Sequence, residues 1–193
     1  MFTVSVYEHG RWPGPGAAED RAGGAARNLP VPAGFNYSEV AFMLEEALLP
    51  MGRAIQPQAL VLQCSVDALD DDTISKLSLS NNALWLVVEK IKELSLRLLV
   101  LGGGGYNPWS VAWLWAGVWW PSTATGSRPA HGAPAAEAVL RGLCWNRAPG
   151  RVAPERWFTT LEGSPRPGPV SDGVRAVVVA VLTDRPPAAM PSA

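Results

Sequence analysis

Histidine and cysteine are scarce in this chain, with two of each among 193 residues. The isolated Cys64 and Cys144 give no disulfide framework and no cysteine-based zinc site. They read as reduced thiols, Cys64 buried at the end of an apolar run and Cys144 in a Trp-containing segment. Neither sign of charge is in excess, with 16 Lys and Arg against 17 Asp and Glu. That balance carries no electrostatic footprint for nucleic acid or an acidic membrane. The most apolar stretch, residues 111–120, is shorter than the about 18–20 residues that span a bilayer. Met1 leads directly into the strand-like Phe2-Thr3-Val4-Ser5-Val6, so no signal peptide is read. These exclusions point to a cytoplasmic protein, and 48% hydrophobic residues are enough for a real core.

Glycine and proline are plentiful, at 19 and 18, and they concentrate in residues 10–34 and 121–170. Between these stretches the pattern alternates. Residues 2–7 read as a strand and residues 10–34 as a Gly/Pro loop. A helix follows, with Ser38 as N-cap and Glu39 in its first turn. Its buried face is Val40, Met43, Leu44, Ala47, Leu48 and Met51, and Pro57 closes it. Residues 59–64 are continuously apolar, as expected of a strand buried on both faces. A second helix is predicted over 81–94 with a stripe of Leu84, Val87, Val88, Ile91 and Leu94, then a strand over 96–101, then a helix from Pro108. This order predicts an α/β fold, a three-layer doubly wound parallel sheet. Residues 121–137 read as a linker or surface loop, 138–184 as a helical extension and 185–193 as a disordered tail.

In such a sheet, ligands bind beyond the carboxyl ends of the strands. Trp12, Asp67 and Tyr106 are all expected there. Asp67 stands three residues past Cys64, where a carboxylate can ligate a metal or merely belong to a solvated acidic loop. For Asp70 and Asp71 the solvated loop is the preferred reading. The run Gly102-Gly103-Gly104-Gly105-Tyr106-Asn107 invites a phosphate-binding reading. Its glycines miss the dinucleotide spacing, and no Gly-Lys-Ser/Thr follows, so a nucleotide-binding domain is disfavoured. A tight turn bringing backbone close to a neighbour remains, or a floor of bare backbone beside a substrate channel.

Three segments together resemble the histone deacetylase family, specifically its bacterial acetoin-utilisation (AcuC-type) branch. They are Thr3-Val4-Ser5 with Arg11-Trp12-Pro13-Gly14-Pro15-Gly16; Val61-Leu62-Gln63-Cys64 with Asp67; and Leu99-Val100-Leu101 with the glycine–tyrosine run. They match only the family's C-terminal half, so the resemblance implies an arginase/deacetylase-like fold truncated at its N-terminus. It implies a zinc-dependent hydrolase acting on acetyl-lysine or a small acetylated amine. Asp67 corresponds to one zinc-ligating aspartate and Tyr106 to the tyrosine that polarises the scissile carbonyl. Trp12, Gly104 and Ile74 correspond to the wall, floor and rim of the acyl channel. Ser5 and Val6 correspond to ligands of a structural potassium ion.

The same resemblance places the other two zinc ligands and a tandem histidine base in segments preceding residue 1. His9 and His131 match none of them and read as a loop histidine and a low-complexity one. Ser65-Val66 stands where the family has Gly-Ala, Tyr7 where it has His, and Ala112-Trp113-Leu114-Trp115 where it has Ala-Arg-Cys-Trp. A β-branched Val66 is expected to shift the Asp67 loop. The chain alone is expected to be inactive and to need a missing N-terminal half, with a non-catalytic remnant or interaction module on the same fold as the alternative.

Overall fold

The structure, a computed structural model, describes residues 1–11, 14, 18–123 and 131–183. Trp12 and the tail over 185–193 lie outside the described residues, as does most of the expected linker.

Strand β1 (Thr3–Glu8) pairs in parallel with β2 (Ala26–Val31), from Thr3 opposite Ala26 to Glu8 opposite Val31. β2 falls inside the stretch expected to be loop. Its Ala-Arg-Asn-Leu-Pro-Val sequence lacks a β-branched run, and Pro30 withholds a ladder donor, which an edge strand tolerates. Its conformation is decided by packing: Arg27, Leu29 and Val31 are buried on one face.

Helix α1 (Tyr37–Met43) begins two residues earlier than expected, because Asn36 and not Ser38 is the N-cap. The Asn36 Oδ1 accepts from the Ser38 and Glu39 amides at 3.0 and 3.2 Å, and Glu39 Oε2 accepts from the Asn36 amide at 3.0 Å. This reciprocal box satisfies donors that any helix start leaves open. The Ser38 hydroxyl instead accepts from Gly168 N at 3.3 Å. A wide π turn over Leu44–Leu48 joins α1 to α2 (Leu49–Ile55). Pro50, the second residue of α2, has no N–H to give to the Glu46 carbonyl inside this turn. Gln56 then turns into the left-handed region and ends the helix before Pro57.

Strand β3 (Leu60–Cys64) pairs in parallel with β4 (Leu98–Gly102), Cys64 opposite Gly102. The strand expected from residue 96 starts later, and Leu96 is fully exposed. Neither strand is buried on both faces. Leu60, Leu62 and Val100 face the helices, whereas Val61 (63% exposed), Leu99 (54%) and Leu101 (42%) open onto solvent. Alternation replaces continuous burial because, among the described residues, the helices cover one side only. Among the described residues the two strand pairs are separate two-stranded sheets.

Helix α3 (Asn81–Ile91) buries Ala83 and Trp85 together with Val88 and Ile91. Its inward face is thus turned from the expected stripe, with Leu84 and Val87 at the margin. The Trp85 indole lies against α4 (Pro108–Thr123) and donates to the Leu114 carbonyl at 2.9 Å. Helix α4 is apolar around much of its circumference and is covered on two sides, with Trp119 left 65% exposed. α3 packs on one side, and α5 (Pro134–Arg141) and α6 (Arg156–Thr159) close the other through Trp109 and Trp113. Trp109 stacks on Trp157 at 5.1 Å between ring centroids. Helix α7 (Asp172–Thr183) lies against β2. The buried Glu39 Oε1 accepts from the Ser171 amide and hydroxyl at 3.0 and 2.6 Å. The C-terminal segment is thereby fastened to the start of α1.

Candidate functional site

Parallel pairing of Cys64 with Gly102 sends the next residues of both strands out of the same sheet edge, side by side. Asp67 follows on a short 3-10 turn, Val66–Ala68, and Tyr106 follows four glycines. The two loops are sewn together through Gly104. Its carbonyl accepts from Val66 N at 2.6 Å and Asp67 N at 3.3 Å, and its amide donates to Ser65 Oγ at 3.2 Å. Ser65, where a glycine was expected, therefore adds a bond between the loops.

Gly104 itself is dictated by Asp67. A Cβ at this position would overlap the carboxylate, meeting Asp67 Cγ at 2.8 Å. Bare backbone here lets an acidic side chain lie flat against the turn. Partial burial is the main cause that raises the Asp67 pKa from its ordinary value, and the negative charge of Asp72 adds to it. Its own backbone amide opposes the rise. An acid held uncomfortably as an anion is well suited to a cation, since an opposite charge would relieve both causes.

Tyr106 is 45% exposed at the mouth of the turn and Ile74 is 38% exposed on the loop after Asp67. Glu8, buried at the end of β1, accepts from Lys76 N at 2.8 Å and pairs with Arg11 at 2.9 Å, tying that loop to the first sheet. The acidic run is not simply solvated. Asp70 pairs with Arg166 at 3.1 Å and Asp71 with Arg156 at 2.5 Å, both arginines from the C-terminal segment. Ser5 and Val6 lie on β1 opposite Asn28 and Leu29, with Val6 43% exposed. His9 and His131 are exposed. Asp72 and Asn107, not singled out in the sequence, are both buried where the two loops meet. A zinc ion needs about three protein ligands, and among the described residues no three His, Cys, Asp or Glu side chains are grouped to hold one. These residues supply one candidate ligand and do not by themselves fit the metal.

Residues 1–121 match the histone deacetylase domain family. Histone deacetylase 2 of Caenorhabditis elegans is 34% identical over 121 residues, 60% of this chain and 24% of that protein. Human histone deacetylase 1 is 31% identical over 120 residues, 60% of this chain and 25% of that protein. A solved histone deacetylase homologue complexed with SAHA superposes with a TM-score of 0.82 at 26% identity, covering 93% of this chain and 50% of that one. The homologue from Aquifex aeolicus gives 0.81 at the same identity and coverage. The chain thus spans about a quarter of the length of these curated relatives and half of these solved chains.

Proposed function

Since this chain belongs to the histone deacetylase family and shares its α/β parallel-strand fold, we propose that it carries the Asp67–Tyr106 half of a zinc-dependent amidohydrolase site. The observation that carries this reading is the hydrogen-bonded union of the Asp67 loop and the glycine–tyrosine turn at the carboxyl ends of two paired strands. Asp67 offers one carboxylate to the metal. The Tyr106 hydroxyl donates to the acyl oxygen as negative charge develops there, a contribution of about 3–4 kcal/mol for a well-placed donor. Trp12, Gly104 and Ile74 are the proposed channel wall, floor and rim, and the Ser5 hydroxyl and Val6 carbonyl the proposed potassium ligands. The substrate is acetylated lysine or a small acetylated amine, the latter fitting an acetoin-utilisation role in the cytoplasm.

One ligand of about three cannot define a catalytic zinc site, so the chain alone is inactive and no metal-dependent step is assigned to it. An N-terminal half, contributing further ligands and a histidine base, completes the site. The test is a chimera in which residues 1–193 replace the corresponding half of the Aquifex aeolicus homologue. Acetyl-lysine hydrolysis that appears in the chimera, is absent from the chain alone with added zinc, and drops by about 100-fold or more in Tyr106→Phe supports the reading. A folded, zinc-loaded chimera whose turnover ignores Tyr106→Phe overturns it. A folded chimera that takes up no zinc favours the non-catalytic interaction module.

A further inference from the structure

Four successive glycines leave the turn before Tyr106 with unusual backbone freedom. A hydroxyl on so free a turn is useful only if something fixes its height and direction over the neighbouring loop. The covalent chain does not do this, and the bonds made by Gly104 hold the middle of the run, two residues short of the tyrosine.

Asp72 makes the remaining connection. It is 7% exposed, deep in the joint between the loops. Its Oδ2 accepts from the Tyr106 amide at 2.6 Å and from the Asn107 amide at 3.1 Å. Its Oδ1 accepts from Ile74 N at 3.0 Å, while its own amide donates to Leu69 O at 2.9 Å. One carboxylate therefore bridges the tyrosine's peptide group to the loop that carries Asp67 and Ile74. The bonds are charge-assisted, the stronger class of hydrogen bond. Asn107, fully buried, braces the same joint from the other side: its Nδ2 donates to Asp71 O at 2.9 Å and its Oδ1 accepts from Trp109 N at 3.1 Å at the start of α4.

We infer that Asp72 is a positioning residue for Tyr106, its buried carboxylate locking the tyrosine's backbone to the Asp67 loop so that the hydroxyl and the carboxylate face the substrate at a fixed separation. The inference rests on the deacetylase reading for what Tyr106 is held ready to do. The clamp itself is a property of the joint and is measurable without zinc or turnover.

The experiment uses the full chain labelled with 3-fluorotyrosine at Tyr7, Tyr37 and Tyr106, the Tyr106 signal identified by its loss in Tyr106→Phe. In Asp72→Asn, which keeps the shape but removes the charge and one of the two acceptor oxygens of the clamp, the Tyr106 fluorine resonance shifts and narrows while those of Tyr7 and Tyr37 stay. The Tyr106 and Asn107 amides exchange with deuterium on the order of tenfold faster, and the α3 amides are unaltered. All three resonances moving together would show a merely structural role and overturn the inference, as would an unmoved Tyr106 signal with unchanged exchange in the folded variant. If Asp72→Asn does not fold, the wild-type chain decides. Tyr106 and Asn107 amides exchanging at the rate of an open turn refute the clamp, and protected ones support it. A failed chimera leaves these results standing, so the two readings fail separately.

Discussion

Cys64 shows how a single side chain reports on the joint between strand and core. It sits at the last position of β3, where burial pushes its thiol up to about 11. Because the folded state disfavours the thiolate, the neutral thiol contributes stability that is fully present below the unfolded pKa and lost as pH rises towards about 11. Iodoacetamide at pH 8 is therefore expected to label exposed Cys144 and spare Cys64 until urea unfolds the chain, with mass spectrometry as the readout. Equal labelling of both thiols in the native state would mean that β3 is open. The placement of Asp67 and Tyr106 at the sheet edge was legible in the sequence because each follows a strand-forming apolar run within a few residues, whereas the roles proposed for them come from the family resemblance alone. Asp72 was not legible, being the last of three identical acids whose burial depends on the turn over residues 69–72. Asn36 had a usable signal in its spacing to Glu39, and Ser38 concealed it because both residue types cap helices.

At the scale of elements, the helix over residues 37–55, the β3–β4 pair and α4 followed from periodicity and punctuation. β2 did not, since its strand state comes from tertiary burial and not from propensity. The contact between α3 and α4 has a sharper requirement than either helix alone. Gly117 faces the Trp85 indole so closely that a Cβ would overlap the ring. In an isolated helix Gly→Ala gains about 1 kcal/mol. Here the overpacking penalty of about 1–3 kcal/mol or more prevails, because Trp85 is 2% exposed and anchored to Leu114. Gly117→Ala should lower the urea midpoint, and an unchanged or higher midpoint would show that the two helices can slide apart.

For the molecule as a whole, the open apolar faces are expected to govern solution behaviour. Val4 and Val6 on β1, with Val61, Leu99 and Leu101 on β3 and β4, leave hydrophobic side chains on strands of parallel sheets that are ordinarily covered. The isolated chain should self-associate, eluting above monomer mass in light-scattering chromatography. Val61→Lys, beside Leu99 in register, should shift the population towards monomer. A wild-type monomer with a cooperative urea transition would contradict this. The fastening of Glu39 to Ser171 has a consequence for biosynthesis. Glu39 in the cap of α1 is translated 132 residues ahead of Ser171, and its last two acceptor bonds wait for that residue. At about 5–20 residues per second the nascent chain carries that unfinished end for on the order of 10 s. During this interval the amino-terminal strands and the Asp67 loop are available to chaperones, or to another polypeptide, before the C-terminal segment arrives.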